Sequence, residues 1–192
     1  MDRNHPFVRV LLGCLFHVTS IDAYINIRKN GFIRPNIGHF PSSHPHSDGS
    51  CVRRIGGISL FDFSIPEDKI FFMDSYLPWE NVVVSHRPIT VVLKIKKACI
   101  SDDVLSWKQI QDKAGDPPCM LIPYVESCSL KPISVGMVEG YVLVRQDDPE
   151  NFVFGDDLAI LDETIACIRR IQTGFTRDLT RFIGALLENS TK

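Results

Sequence analysis

Residues 15–36 read LFHVTSIDAYINIRKNGFIRPN, and no other stretch narrows the fold as much. An apolar run stops at His17. Ser20 offers a side-chain oxygen to cap a helix, and Asp22 sits in the first turn, where the helix dipole favours an acid. Ile21, Tyr24, Ile25 and Arg28 follow helical spacing, and Gly31 supplies the stop. The spacing predicts a strand that runs into a short helix almost without a loop, with His17 at the mouth of the strand. "FIRPN" then leaves the helix in extended form.

The remaining elements follow from periodicity and turn residues. Residues 7–18, rich in Val, Leu and Phe, suit a first buried strand. Its patch "FVRVLLGCLF" is interrupted by Arg9 and is too short to span a bilayer. Residues 36–56 read as one long loop, with Pro41, Pro45 and three histidines, and a loop of that length is more often functional than filler. "GGISLFDF" (56–63) reads as a short strand entered through two glycines, and Ile89 to Ile95 has strong β propensity. Ser101 is expected to cap a helix, "SDDVLSWKQIQDKAG", that ends on Gly115. "CMLIPYVES" and "EGYVLVRQ" read as two more strands, separated by a turn at Lys131 and Pro132. Beyond them Leu158, Leu161, Ile165, Ile168, Phe175, Leu179, Phe182 and Leu186 mark an amphipathic helical tail, broken near Gly174. Strands gathered around one helix, followed by terminal helices, fit an α+β fold rather than alternating βαβ units.

Length and composition bound the function. At 192 residues the chain is expected to form a single domain over 1–192, with a core over 1–150 and a helical segment over 156–189. Its 44% apolar and 23% charged residues are those of an ordinary soluble protein, and a net charge of −2 argues against a chain built to coat nucleic acid. Cys14, Cys51, Cys99, Cys119, Cys128 and Cys167 lie far apart with no CxxC pair. They read as reduced thiols in a cytoplasmic protein.

Three chemistries compete for the polar residues. His39, His44, His46 and Cys51 are potential zinc ligands, but their spacing matches no standard finger, and a solvated polar loop explains them as well; no metal is assigned. A cysteine or serine paired with His17 or His86 would make a nucleophile, yet no G-x-S-x-G elbow is present and most thiols read as core filler. The third reading joins "FHVTS" with its helix and "NGFIRP", then "GGISLF", then "PYVESCSLKPI" with "VEGYVLV" beyond. In this order the pieces resemble the ADP-ribosyltransferase superfamily, nearest in arrangement to its DNA-targeting toxins and related domains of unknown function.

That resemblance, spread over residues 10–145, implies a split, bent β-sheet with a central NAD cleft and C-terminal helices. It implies NAD as substrate, with ADP-ribose transferred to an acceptor and nicotinamide released. His17 matches the histidine that orients the nicotinamide-side ribose, and Thr19 would support the loop or contact the same ribose. Gly57 opens the second motif. Ser59 stands where an aromatic residue usually stacks on nicotinamide; Phe61 would substitute, while Ser59 resembles the serine that supports the catalytic glutamate in another branch. Glu126 matches that glutamate, with Glu139 as its rival; a carboxylate there would stabilise an oxocarbenium-like ribose. Arg53 and Arg54 are placed to meet the pyrophosphate. Other readings stay open: an NAD glycohydrolase or RNA 2′-phosphotransferase on the same scaffold, or a non-catalytic module that binds a protein partner through its C-terminal helices. Arg169, Arg170, Arg177 and Arg181 make that tail locally basic, as a solvated face also would.

Overall fold

The computed structural model describes residues 5–35, 49–72, 88–116, 118–145 and 148–172. Two compact units divide the chain, Met1–Asp156 and Asp157–Lys192. The first is α+β, built on a bent seven-stranded sheet.

Its N-terminus departs from the strand expected over residues 7–18. Pro6–Leu11 form helix α1. Pro6 occupies the first turn, where a missing N–H leaves no bond unmade, and the Phe7 amide donates to His5 Nδ1 at 3.3 Å. Phe7, Val8 and Leu11 are buried from one side of this helix. Gly13, at φ +78°, then turns the chain into strand β1, Leu15–Ser20. An apolar run alone does not separate helix from strand; the flanking proline and glycine decide it here.

Helix α2 (Ile21–Asn30) follows without a loop, as the spacing predicts. The Ala23 amide donates to Ser20 Oγ at 3.2 Å, and Gly31 closes the helix in the left-handed region at φ +75°. Strand β2 (Phe32–Ile33) pairs with β7 (Ile133–Ser134) in a separate two-stranded sheet. Of the expected loop 36–56, residues 36–48, with His39, His44 and His46, lie outside the described residues, as does His86. Cys51–Arg54 is not loop but a single helical turn, α3, which leads through Gly56 and Gly57 into β3 (Ile58–Asp62). Helix α4 is Glu67–Phe72, and β4 is Ile89–Ile95, the span its β-branched residues predict.

The helix expected from Ser101 starts later. Ser101–Asp103 make only a single 3-10 turn, and Val104–Leu105 then form β5 and pair with a neighbouring strand, so the α-helix waits until Ser106. The Ser106 amide donates to Gln109 Oε1 at 2.8 Å, and α5 runs over Trp107–Ala114. The expected strand "CMLIPYVES" is also shorter than read. β6 begins at Glu126 and ends at Ser129, because Pro123, Tyr124 and Val125 turn the chain just before it. β8 (Val138–Arg145) agrees with expectation, whereas β9 (Asp148–Gly155) was not foreseen. Its acidic, proline-bearing start carries no strand pattern, and it is extended because it pairs back on β8.

The seven strands lie in the order β5-β6-β3-β1-β4-β8-β9, each pair antiparallel. On one side Phe7, Val8 and Leu11 of α1 join Phe16, Phe61, Phe63, Val92, Val142 and Val144 in the main apolar cluster. Val91 and Leu93, which alternate with Val92, are equally buried, so β4 is covered on both faces. A second cluster, Cys51, Val52, Ile110 and Cys128, brings α3 and α5 onto β6.

The reading of all six cysteines as reduced thiols is corrected. Cys51 and Cys119 form a disulfide with their Cα atoms 5.1 Å apart, while Cys14, Cys99, Cys128 and Cys167 are free. The partners are far apart in sequence, so spacing carried no trace of the pair; the fold brings them together. The same bond removes Cys51 from any zinc set.

In the second unit residues 158–172 form helix α6. Leu161 and Ile165 are buried, and Leu158 and Ile168 half-buried, which is the expected stripe. Gly174, Phe175, Arg177, Leu179, Arg181, Phe182 and Leu186 lie outside the described residues. Among the described residues no helix is long and apolar enough to cross a membrane.

Candidate functional site

The sheet opens at the point where the sequence placed its histidine. β1 pairs with β4 from Leu15 to Ser20, but with β3 only at Leu15 and Phe16. From His17 onward β1 and β3 part, and a side chain takes over from the ladder. His17 Nδ1 lies 2.9 Å from the Ser59 carbonyl oxygen. A carbonyl only accepts, so Nδ1 carries the proton. Burial pushes the imidazole below its ordinary pKa, against the opposing pull of the Ser59 carbonyl. The ring is therefore neutral near pH 7, and its Nε2 is an acceptor. That answers why a histidine belongs here: it ties an open seam and leaves one fixed acceptor.

Ser59 joins His17 to Glu126. Its main chain holds the imidazole, and its hydroxyl donates to Glu126 Oε1 at 3.5 Å. Glu126 stands opposite Phe61 across the β3–β6 ladder, two residues along from the Ser59–Cys128 pair. The carboxylate is 6% exposed. Its other oxygen, Oε2, accepts the Ile122 amide at 2.8 Å. Burial raises its pKa to about 7, the Ile122 amide and the Ser59 hydroxyl offsetting part of that rise. Among the described residues no salt bridge involves Glu126. A buried carboxylate that lacks a cation is poised to ionise when one arrives.

The turn before Glu126 is strained. Tyr124, at φ +67°, is the one non-glycine residue with positive φ among the described residues. The Val125 amide donates to the Pro123 carbonyl at 2.8 Å across it, a tight three-residue turn. Trp107 meets the Tyr124 ring edge-on at 5.2 Å, and Lys69 Nζ lies over that ring at 4.9 Å. The Glu126 amide returns to the Ile122 carbonyl at 3.1 Å. Ile122 thus holds Glu126 twice, by its own N–H to the carboxylate and by its C=O to the amide. Strain at one residue beside a buried carboxylate is what a positioning device looks like.

The other expected residues are distributed around this centre. Thr19 is buried on β1, opposite Val91 of β4. Phe61 is 7% exposed and stacked on Phe16 at 5.6 Å, so its ring is engaged in the core. Arg53 and Arg54 lie in α3, half-buried and exposed respectively. Glu139 is exposed on β8, where its charge bears on the Cys14 thiol; Glu126, not Glu139, meets Ser59. Among the described residues no group of three His, Cys, Asp or Glu could hold a metal ion.

Gly57 shapes the entry to β3. A Cβ there would stand 3.0 Å from Cys128 Sγ and 3.2 Å from both Cys128 Cβ and Val52 Cγ1. Gly57→Ala is expected to lower stability by about 1–3 kcal/mol, as overpacking of a tight contact does. Urea unfolding monitored by tryptophan fluorescence measures it.

Ser59 was singled out from sequence, where the resemblance implied that it supports the glutamate, but its main-chain contact with His17 was not legible there. Tyr124, Ile122 and Cys128 were missed as site residues. The only local sign was Pro123, which disfavours a continuous strand into Glu126. No family model, no curated protein and no solved structure matches the chain.

Proposed function

We propose that this protein binds NAD in the opening between β1 and β3 and transfers its ADP-ribose to an acceptor, releasing nicotinamide, as the resemblance to ADP-ribosyltransferases implies. One observation carries the reading: His17 and Glu126, the first and third motif residues, meet on the second, Ser59. Chain order alone did not require this.

The chemistry of the three side chains suits the reaction. A neutral His17 presents Nε2 as an acceptor for a ribose hydroxyl, which fixes the sugar without adding charge. NAD carries a cationic nicotinamide, and its departure leaves positive charge on the ribose. A buried carboxylate on a fixed turn stabilises that charge more strongly than one in water. Glu126 ionises as the cation enters, because an opposite charge lowers a carboxyl pKa. Arg53 and Arg54, in the turn that feeds β3, would serve the pyrophosphate. With water as acceptor the same residues would make an NAD glycohydrolase.

Isothermal titration with NAD tests the reading. The wild type is expected to bind, and His17→Ala to bind at least about tenfold more weakly, the loss of roughly one hydrogen bond and the seam it closes. A wild-type chain that gives no heat with NAD removes the reading.

A further inference from the structure

We infer that the Cys51–Cys119 disulfide is a redox latch on this site: closed, it holds the turn that presents Glu126, and reduction by an external dithiol releases that turn. The inference rests on reading Glu126 as the functional carboxylate, and it adds a control on that residue.

The cross-link joins the two chain segments that lead into the site. Cys51 begins α3, which passes through Gly56 and Gly57 to Ser59. Cys119 begins the segment that reaches Ile122, the residue that holds the Glu126 carboxylate. Two backbone bonds accompany the disulfide: the Cys51 amide donates to Met120 at 2.9 Å, and the Met120 amide to Gly49 at 2.9 Å. Side-chain packing at this joint is thin on the outer side, where Pro118 is exposed and Met120 is 52% exposed. Without the covalent bond, the outer end of the segment keeps only these two backbone bonds, and a segment end so held opens locally at low cost. Leu121 and Ile122 hold its inner end in part by packing against the two apolar clusters.

Access is one-sided. Cys51 is 1% exposed, Cys119 is half-buried, and both line a cavity of about 350 Å³ with Trp107, Gln111, Asp112 and Asp116. A thiolate entering the cavity attacks Cys119 Sγ. The S–S bond breaks, Cys51 leaves as a thiolate and takes up a proton, and the second thiol of the dithiol releases Cys119. The dithiol is oxidised by two electrons and the protein disulfide reduced by two. Cys128 shares the apolar cluster with Cys51 but does not intercept this exchange: it is buried, and its thiol stays protonated, pushed up to about 11. Among the described residues, Asp112 and Asp116 are the charged ones that line the cavity, so an anionic thiol is repelled and a cationic one attracted.

The test treats the full chain with dithiothreitol, cysteamine or glutathione. Alkylation and mass spectrometry count thiols, and hydrogen exchange follows the Ile122 amide. Expected are two added thiols with dithiothreitol and an exchange rate at Ile122 raised about tenfold or more on that reduction. Attack by cysteamine is expected to be faster than by glutathione at matched thiolate, a gap that salt narrows, each first leaving a mixed disulfide on Cys119 and one freed protein thiol. The Cys51→Ser/Cys119→Ser variant is expected to show the raised exchange under every condition. Full reduction with unchanged Ile122 exchange overturns the latch, as does a native disulfide that dithiothreitol leaves intact. Neither readout uses NAD. An Ile122 amide that responds in a protein that fails to bind NAD therefore overturns the proposed function and not the latch.

Discussion

Glu126→Gln is expected to lower NAD turnover by about 10²–10³-fold while leaving the fold intact, the usual loss when one preorganised electrostatic partner of a transition state is removed. Glutamine is close in shape, and its carbonyl oxygen still accepts the Ile122 amide that now bonds Oε2 at 2.8 Å. What it lacks is the charge that, in the proposed reaction, would answer the developing cation. The loss should fall on kcat more than on KM, because the interaction strengthens as the nicotinamide bond breaks. Steady-state release of nicotinamide from wild type and variant, with circular dichroism to confirm folding, measures it. Equal turnover would remove Glu126 from the chemistry. The wild-type kcat/KM should also fall on the acid side of about pH 7, where the carboxyl takes up its proton.

The second large effect is on stability and needs no substrate. The carboxyl of Glu126 has an ordinary pKa of 4.5 and is raised to about 7 in the fold, chiefly by burial. The folded state therefore binds this proton more tightly than the unfolded chain. Its contribution to stability is fully present below 4.5 and is lost as pH rises through about 7. At about 1.4 kcal/mol per pKa step, the loss amounts to about 3 kcal/mol. Urea unfolding of wild type and Glu126→Gln across this range isolates it, because the other titrating groups are common to both. The difference between them should shift in favour of the variant as pH rises. A flat difference would mean that the carboxyl is not desolvated as its burial implies.

Local chemistry was enough to write several elements from the sequence. Ser20, Asp22 and Gly31 fixed α2 because capping is an interaction among near neighbours. Val91, Val92 and Leu93 marked β4 because a doubly covered strand needs apolar residues on both faces. His17 at the end of an apolar run, and the stripe of Leu158, Leu161, Ile165 and Ile168, were legible for the same reason. Each rule spans a turn of helix or a step of strand. The α+β class followed from the order of such elements.

What the sequence could not hold is whatever depends on residues far apart in the chain. β5 displaced the expected cap from Ser101 to Ser106 because Val104 and Leu105 pair with Ser129 and Cys128. β9 is a strand because β8 lies beside it. Cys51 and Cys119 are bonded because the Ser50–Met120 bridge brings their segments together. Ser59 read both as a departure from an aromatic motif position and as the serine that supports the glutamate in another branch, but only the fold shows its carbonyl on His17 while its hydroxyl meets Glu126. The residues that could do chemistry were therefore written locally. Their meeting, and the burial that tunes Glu126, came from the tertiary structure, because contact and desolvation are properties of the packed chain and not of any segment of it.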